Sequence, residues 1–150
     1  MALRPPIGVL VVAIGSLSFA LIWALWLSVL WFNSDPLDHI STPWERVEAP
    51  IHIALLAITA ASAIGLLLRN QPARIGLICA FATITAVLAT SLFLQMTQLR
   101  ALEPELSALF PPTWVVVARA ATLPALATLV SAPILYGEAS RRYFSERALA

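Results

Sequence analysis

The chain has 150 residues, 60% of them apolar and only 11% charged, with a mean hydropathy of +0.87. A soluble domain carries about 25% charged residues, so this composition excludes a water-covered globule and leaves the bilayer as the natural solvent. Nine basic residues, all arginine, against eight acids give a net charge of +1, too little to suggest a nucleic-acid partner. The length suits one transmembrane domain, residues 1–150.

Four apolar segments follow one another. The first helix is expected over residues 7–32, 26 residues without a charge. That is long enough to cross about 30 Å of hydrocarbon with some tilt, and too long for the apolar stretch of a cleaved signal. Phe19, Trp23 and Trp26 recur on it at i, i+4 and i+7 and form one stripe. The stripe reads as a surface for a partner subunit or a pigment, with lipid facing as the plain alternative. Trp31 and Phe32 fit an interfacial aromatic belt.

Helix 2 is expected over 43–68. Thr42 suits an N-cap, Pro43 the first helical position and Glu45 the reach back to the cap. Pro50 lies inside this helix, lacks an N–H for the carbonyl of Arg46, and predicts a kink. Arg69-Asn70-Gln71-Pro72 reads as a tight turn into helix 3, expected over 75–97. Ala57, Ala61 and Gly65 on helix 2, and Ala82, Ala86 and Thr90 on helix 3, form small-residue rows at four-residue spacing, with Gly76 and Ala80 nearby. Such rows let backbones approach where lipid gives no hydrophobic drive, so tight packing of helices 2 and 3 is expected along them. Pro111-Pro112 opens helix 4, expected over 112–136. The tail, 137–150, is polar with Tyr143, Phe144 and Leu149. It reads as a short amphipathic helix on the inner surface, with Arg141 and Arg142 near anionic lipid.

Arginine placement sets the orientation. With the N-terminus inside, Arg4, Arg69, Arg74, Arg141, Arg142 and Arg147 lie inside, and Arg46, Arg100 and Arg119 outside. Six of nine arginines inside satisfies the positive-inside rule. The expected architecture is therefore an all-α, antiparallel four-helix transmembrane bundle with short loops, in an inner membrane, with both termini cytoplasmic.

The polar exceptions are the candidate site. Glu45, Glu48 and His52 share one helical face, and Glu48 and His52 are i,i+4 neighbours. His52 falls past Pro50, inside the apolar run. Arg119 lies ~12 Å along helix 4 from Pro111 and enters from the same side. An arginine at that depth is costly unless it pairs or reaches water, so Arg119 is expected either to pair with Glu48 or to snorkel. Gln95, Gln98 and Asn33 stand at the same end. A metal site needs a further ligand, and none is assigned. Cys79 is the single cysteine and closes no internal disulfide. His39 sits in the outer loop beside Asp38. The chain has five glycines and none of the phosphate-loop, HExxH or GxSxG patterns.

Three functions follow as expectations. The first is a noncatalytic accessory or scaffold subunit of a larger inner-membrane complex, of an electron-transfer or photosynthetic kind, in contact with lipid and other membrane subunits. The second is a small stand-alone transporter or membrane enzyme with an outer-leaflet site at Glu48, His52 and Arg119. The third is a pigment- or haem-binding subunit with His52 as axial ligand. A quinone is a further candidate cofactor for the tryptophan stripe.

Overall fold

A computed structural model describes residues 4–33, 43–102 and 104–145. Among them every regular element is a helix: α1 (Ile7–Asn33), α2 (Pro43–Leu67), α3 (Gln71–Leu102), α4 (Pro104–Ser107), α5 (Thr113–Tyr136) and α6 (Glu138–Ser145). Four stretches are long and apolar enough to cross a membrane: Ile7–Ser28, Pro50–Leu67, Gln71–Leu102 and Thr113–Tyr136. Large apolar side chains such as Leu21, Ile22, Ile58, Ile64 and Leu129 are exposed, as lipid contact requires. This is the pattern of a helical membrane protein.

Helix α3 is longer than the sequence predicts. Its apolar stretch marks the hydrocarbon, but Pro72 fits the helix's first turn and no proline or glycine stops the helix at its far edge before Leu102. It runs from Gln71 to Leu102, 32 residues, or ~48 Å, well beyond the ~30 Å hydrocarbon thickness. The two prolines of α5, Pro124 and Pro133, are accommodated within the helix, as membrane helices permit.

The turn after α2 is a Schellman motif. Asn70 N–H donates to the Gly65 carbonyl at 2.8 Å and Arg69 N–H to Leu66 at 3.2 Å. Arg69 takes the left-handed position, φ 60°, where glycine is usual. Next to this turn α2 and α3 nearly touch. A Cβ built on Gly65 would lie 2.7 Å from Ala73 Cβ, and one on Gly76 would lie 2.8 Å from Ser62 Oγ.

That contact uses Gly65 and Gly76 from the predicted small residues, and Ala80 is buried, but the rest of the rows turn outward. Helices α2 and α3 do pack closely, but through Leu55, Thr59, Ser62 and Leu66 against Ala73, Leu77, Phe81 and Ile84, all buried. Of the row residues, Ala57, Ala61, Ala82, Ala86 and Thr90 are exposed, and only Gly65 is buried. Several four-residue rows run around each alanine-rich helix, and bulky Leu and Phe on the neighbouring row bury more surface.

Helix α1 packs on α2, α2 on α3, α3 on α5, and α5 back on α1. A Cβ on Gly8 would come 2.8 Å from Ile134 Cγ2, so the start of α1 adjoins the end of α5. The main core joins Val9, Val12 and Ala13 to Leu66, Leu77, Phe81 and Leu135, and Tyr143 and Phe144 of α6 close it. Among the described residues the buried core extends to the α6 end.

The short helix α6 is amphipathic as expected, but Tyr143 and Phe144 turn inward, 5% and 1% exposed, rather than into lipid. Helix ends satisfy one another there. Ser140 Oγ donates to the Ile134 carbonyl at 2.7 Å and Arg141 Nε to the Tyr136 carbonyl at 2.9 Å. Tyr143 hydroxyl donates to Leu67, the last residue of α2, at 3.1 Å. Arg69 and Gln71 return donors to the carbonyls of Tyr143 and Phe144. Each of these carbonyls lies in a helix's last turn, where the intrahelical partner is missing.

Candidate functional site

Two regions of the fold gather polar or aromatic chemistry. The first is built around His52, two residues past Pro50 on α2. Helical register turns it inward, and it is 5% exposed. Its ring lies 5.5 Å from that of Trp23 on α1, inclined at 58°. Trp23 continues to Phe19 at 5.4 Å, and Phe19 meets Phe81 of α3 edge-on at 5.6 Å. Trp26 stacks edge-on with Trp23 at 5.9 Å but is 51% exposed.

The stripe on α1 is thus split in use. Phe19 and Trp23 pack on the chain's own core, and Trp26 carries the exposed end. His52 is the one ionisable side chain buried within a span among the described residues. The other polar residues buried in the spans are serines and Thr59. Ser16 and Thr59 donate to the carbonyls four residues back at 2.7 Å, which satisfies them without creating a polar path.

Glu48 stands one turn before His52 on α2, but its side chain lies outside the described residues, as do those of Glu45 and Asn33. His39 and Thr42 also lie outside them. Gln95 and Gln98 are exposed on α3. Arg119 is exposed on α5, about 9 Å along the helix from Thr113. It shares an outward face with Leu123, Leu126 and Val130, whereas Pro124, Ser131 and Leu135 point into the bundle. His52 faces α1, and α5 rests chiefly on α3. Among the described residues no three His, Cys, Asp or Glu side chains converge on a point that could hold a metal.

No family model, curated protein or solved structure matches the chain.

The second region is the α6 end, and sequence reasoning missed its organisation. Arg69 Cζ lies 4.8 Å from the centre of the Tyr143 ring. Arg74 is held between two rings, 4.3 Å from Tyr136 and 5.0 Å from Phe144. Arg142 pairs with Glu138 one turn earlier on α6. The sequence signals were present: a Tyr-Phe pair on an otherwise polar helix, and arginines flanking the α2–α3 turn. Only the fold joins segments so far apart in sequence.

Proposed function

We propose that the chain is a noncatalytic accessory subunit of a larger inner-membrane complex. It is an antiparallel four-helix bundle with both termini cytoplasmic. The descending pairs Gly65–Ala73 and Ser62–Gly76 support that sense for α2 and α3, and the arginine distribution supports the orientation.

The observation that carries the reading is Arg119. Helix α5 is the least covered span, with 11% of its apolar window buried against 28% and 39% in the others. On its open face it presents a charge. An arginine facing outward from a span is costly in hydrocarbon, and a carboxylate on a neighbouring helix removes that cost. Trp26 on the open side of α1 gives a second point of contact of the kind enriched at interfaces.

Particle mass after mild-detergent extraction from source membranes tests the proposal. Co-purifying membrane proteins in a particle far larger than the 16.2 kDa chain and its micelle support it. A monomer or small homo-oligomer overturns it. A second reading, a ligand site at His52, is favoured by the burial of its imidazole beside Trp23. It predicts a small particle whose bound group or activity is lost in His52→Ala.

A further inference from the structure

The α6 end holds five described arginines, Arg4, Arg69, Arg74, Arg141 and Arg142, and one described acid, Glu138, which Arg142 engages. Arg74 and Arg141 engage no carboxylate among the described residues, and the two meet at one residue. Arg74 stacks on the Tyr136 ring, and Arg141 Nε donates to the Tyr136 carbonyl. The Tyr136 and Phe144 rings hold the Arg74 guanidinium in place without using its protons. Its Nε is buried, and it donates no hydrogen bond to any described residue. A planar guanidinium fixed in this way is suited to bidentate binding of a phosphate.

The surroundings select the form of that phosphate. Helix α2 ends at Leu67, α3 begins at Gln71 and α5 ends at Tyr136, so the arginines stand where apolar spans give way to polar chain. Leu68, Ile75 and Tyr136 are 64%, 59% and 41% exposed. They are exposed apolar side chains at the same end of the helices, and the Tyr136 ring lies against Arg74. A free phosphate ion has no use for such a surface, whereas the acyl chains of a lipid do.

We propose that Arg74, at the Tyr136 ring, and Arg141, at the Tyr136 carbonyl, bind the phosphate of an anionic phospholipid, with the acyl chains lying along Ile75 and Leu68. The proposal rests on reading the four apolar helices as membrane spans whose α6 end lies at a leaflet surface. A net negative lipid such as phosphatidylglycerol is preferred over zwitterionic phosphatidylcholine, because only the former leaves its phosphate charge uncompensated.

The test is lipid titration of the purified full-length chain in mild detergent, read by native mass spectrometry. Each arginine at such a surface contributes about fivefold in affinity. Phosphatidylglycerol is expected to bind at least about fivefold more tightly than phosphatidylcholine. Arg74→Gln/Arg141→Gln together remove the preference. Arg141→Gln alone, an exposed change that spares the packing of Arg74, reduces it, and Arg142→Gln retains it. Equal binding of the two lipids, or a preference that survives the double substitution, overturns the proposal. Displacement of phosphatidylglycerol by inorganic phosphate would make this a free-anion site and would also overturn it. Alkaline extraction of the membranes separates the two levels of failure. A chain that stays in the membrane without lipid preference sinks only this proposal, and a chain that is released sinks the membrane reading beneath it.

Discussion

Arg69 and Tyr143 hold each other across a sequence separation of 74 residues. Arg69 Nε and Nη2 both donate to the Tyr143 carbonyl, at 2.9 and 2.8 Å, and the guanidinium lies over the Tyr143 ring. Tyr143 hydroxyl donates back to Leu67, two residues before Arg69. The exchange ties α6 to the α2–α3 turn, and it rests on an arginine with φ 60°.

That backbone position costs a non-glycine residue about 1–2 kcal/mol. A hydrogen bond from a charged donor contributes about 1.5–3 kcal/mol, less where solvent reaches it. The clamp should therefore outweigh the strain. Arg69→Ala keeps the strain and loses the clamp, whereas Arg69→Gly loses both. Thermal unfolding in detergent should rank the wild type first, Arg69→Gly second and Arg69→Ala last. An Arg69→Gly protein as stable as the wild type would show that the clamp contributes nothing.

The two close approaches of α2 and α3 differ in what must yield. At Gly65 an added Cβ meets Ala73 Cβ, which cannot move without its backbone. At Gly76 it meets the Ser62 hydroxyl, which can rotate. Overpacking of the first kind costs about 1–3 kcal/mol, so Gly65→Ala should destabilise clearly. Gly76→Ala should stay within about 1 kcal/mol, because the gain in helix propensity offsets a small displacement. Ala61→Leu and Ala86→Leu, on exposed faces, should be silent. Unfolding midpoints of the four variants in one detergent decide the matter, and a severe Ala61→Leu would restore the packing rows predicted from sequence.

Those rows show where the sequence was legible. The first and last spans were read to within one residue, 7–32 against Ile7–Asn33 and 112–136 against Thr113–Tyr136. Their apolar content and the prolines and glycine at their edges are local properties. The ends of α3 were misplaced because hydropathy reports the hydrocarbon boundary, and Gln71–Arg74 and Gln98–Leu102 extend the helix past it. Which alanine row faces a neighbour depends on helix rotation, and spacing alone does not specify it. His52 stood out as a charge-capable side chain in an apolar run. Its neighbour Trp23 is on another helix, and no local pattern joins them. The arginine–aromatic cluster at α6 escaped for the same reason.

His52 and Trp23 separate packing from ligand binding. His52→Ala removes a buried ring and leaves a cavity against Trp23, at a cost of about 2 kcal/mol. Trp23→Ala should cost a similar amount because Trp23 packs on the core, while Trp26→Ala, at a half-exposed position, should stay within about 0.5 kcal/mol. Under the accessory-subunit reading, His52→Ala lowers the melting temperature and leaves particle composition and any visible absorbance unchanged. Loss of a visible band or of an activity, with folding preserved, would transfer the function to the His52 site.

Arg119 gives the sharpest test of the partner reading. If a partner carboxylate meets it in the membrane, Arg119→Leu leaves that carboxylate unpaired, and truncating one member of such a pair costs about 2–5 kcal/mol. The complex should then dissociate at concentrations where the wild type stays assembled. Arg119→Lys keeps the charge but loses the planar fork, so it should weaken assembly less. The isolated chain should be unaffected or slightly stabilised by Arg119→Leu, because the side chain is exposed on α5. Native gel migration of the extracted particle, read beside the melting temperature of the purified chain, distinguishes the cases. An unchanged particle with Arg119→Leu would mean that Arg119 snorkels to the headgroups, and the partner surface on α5 would have to be abandoned.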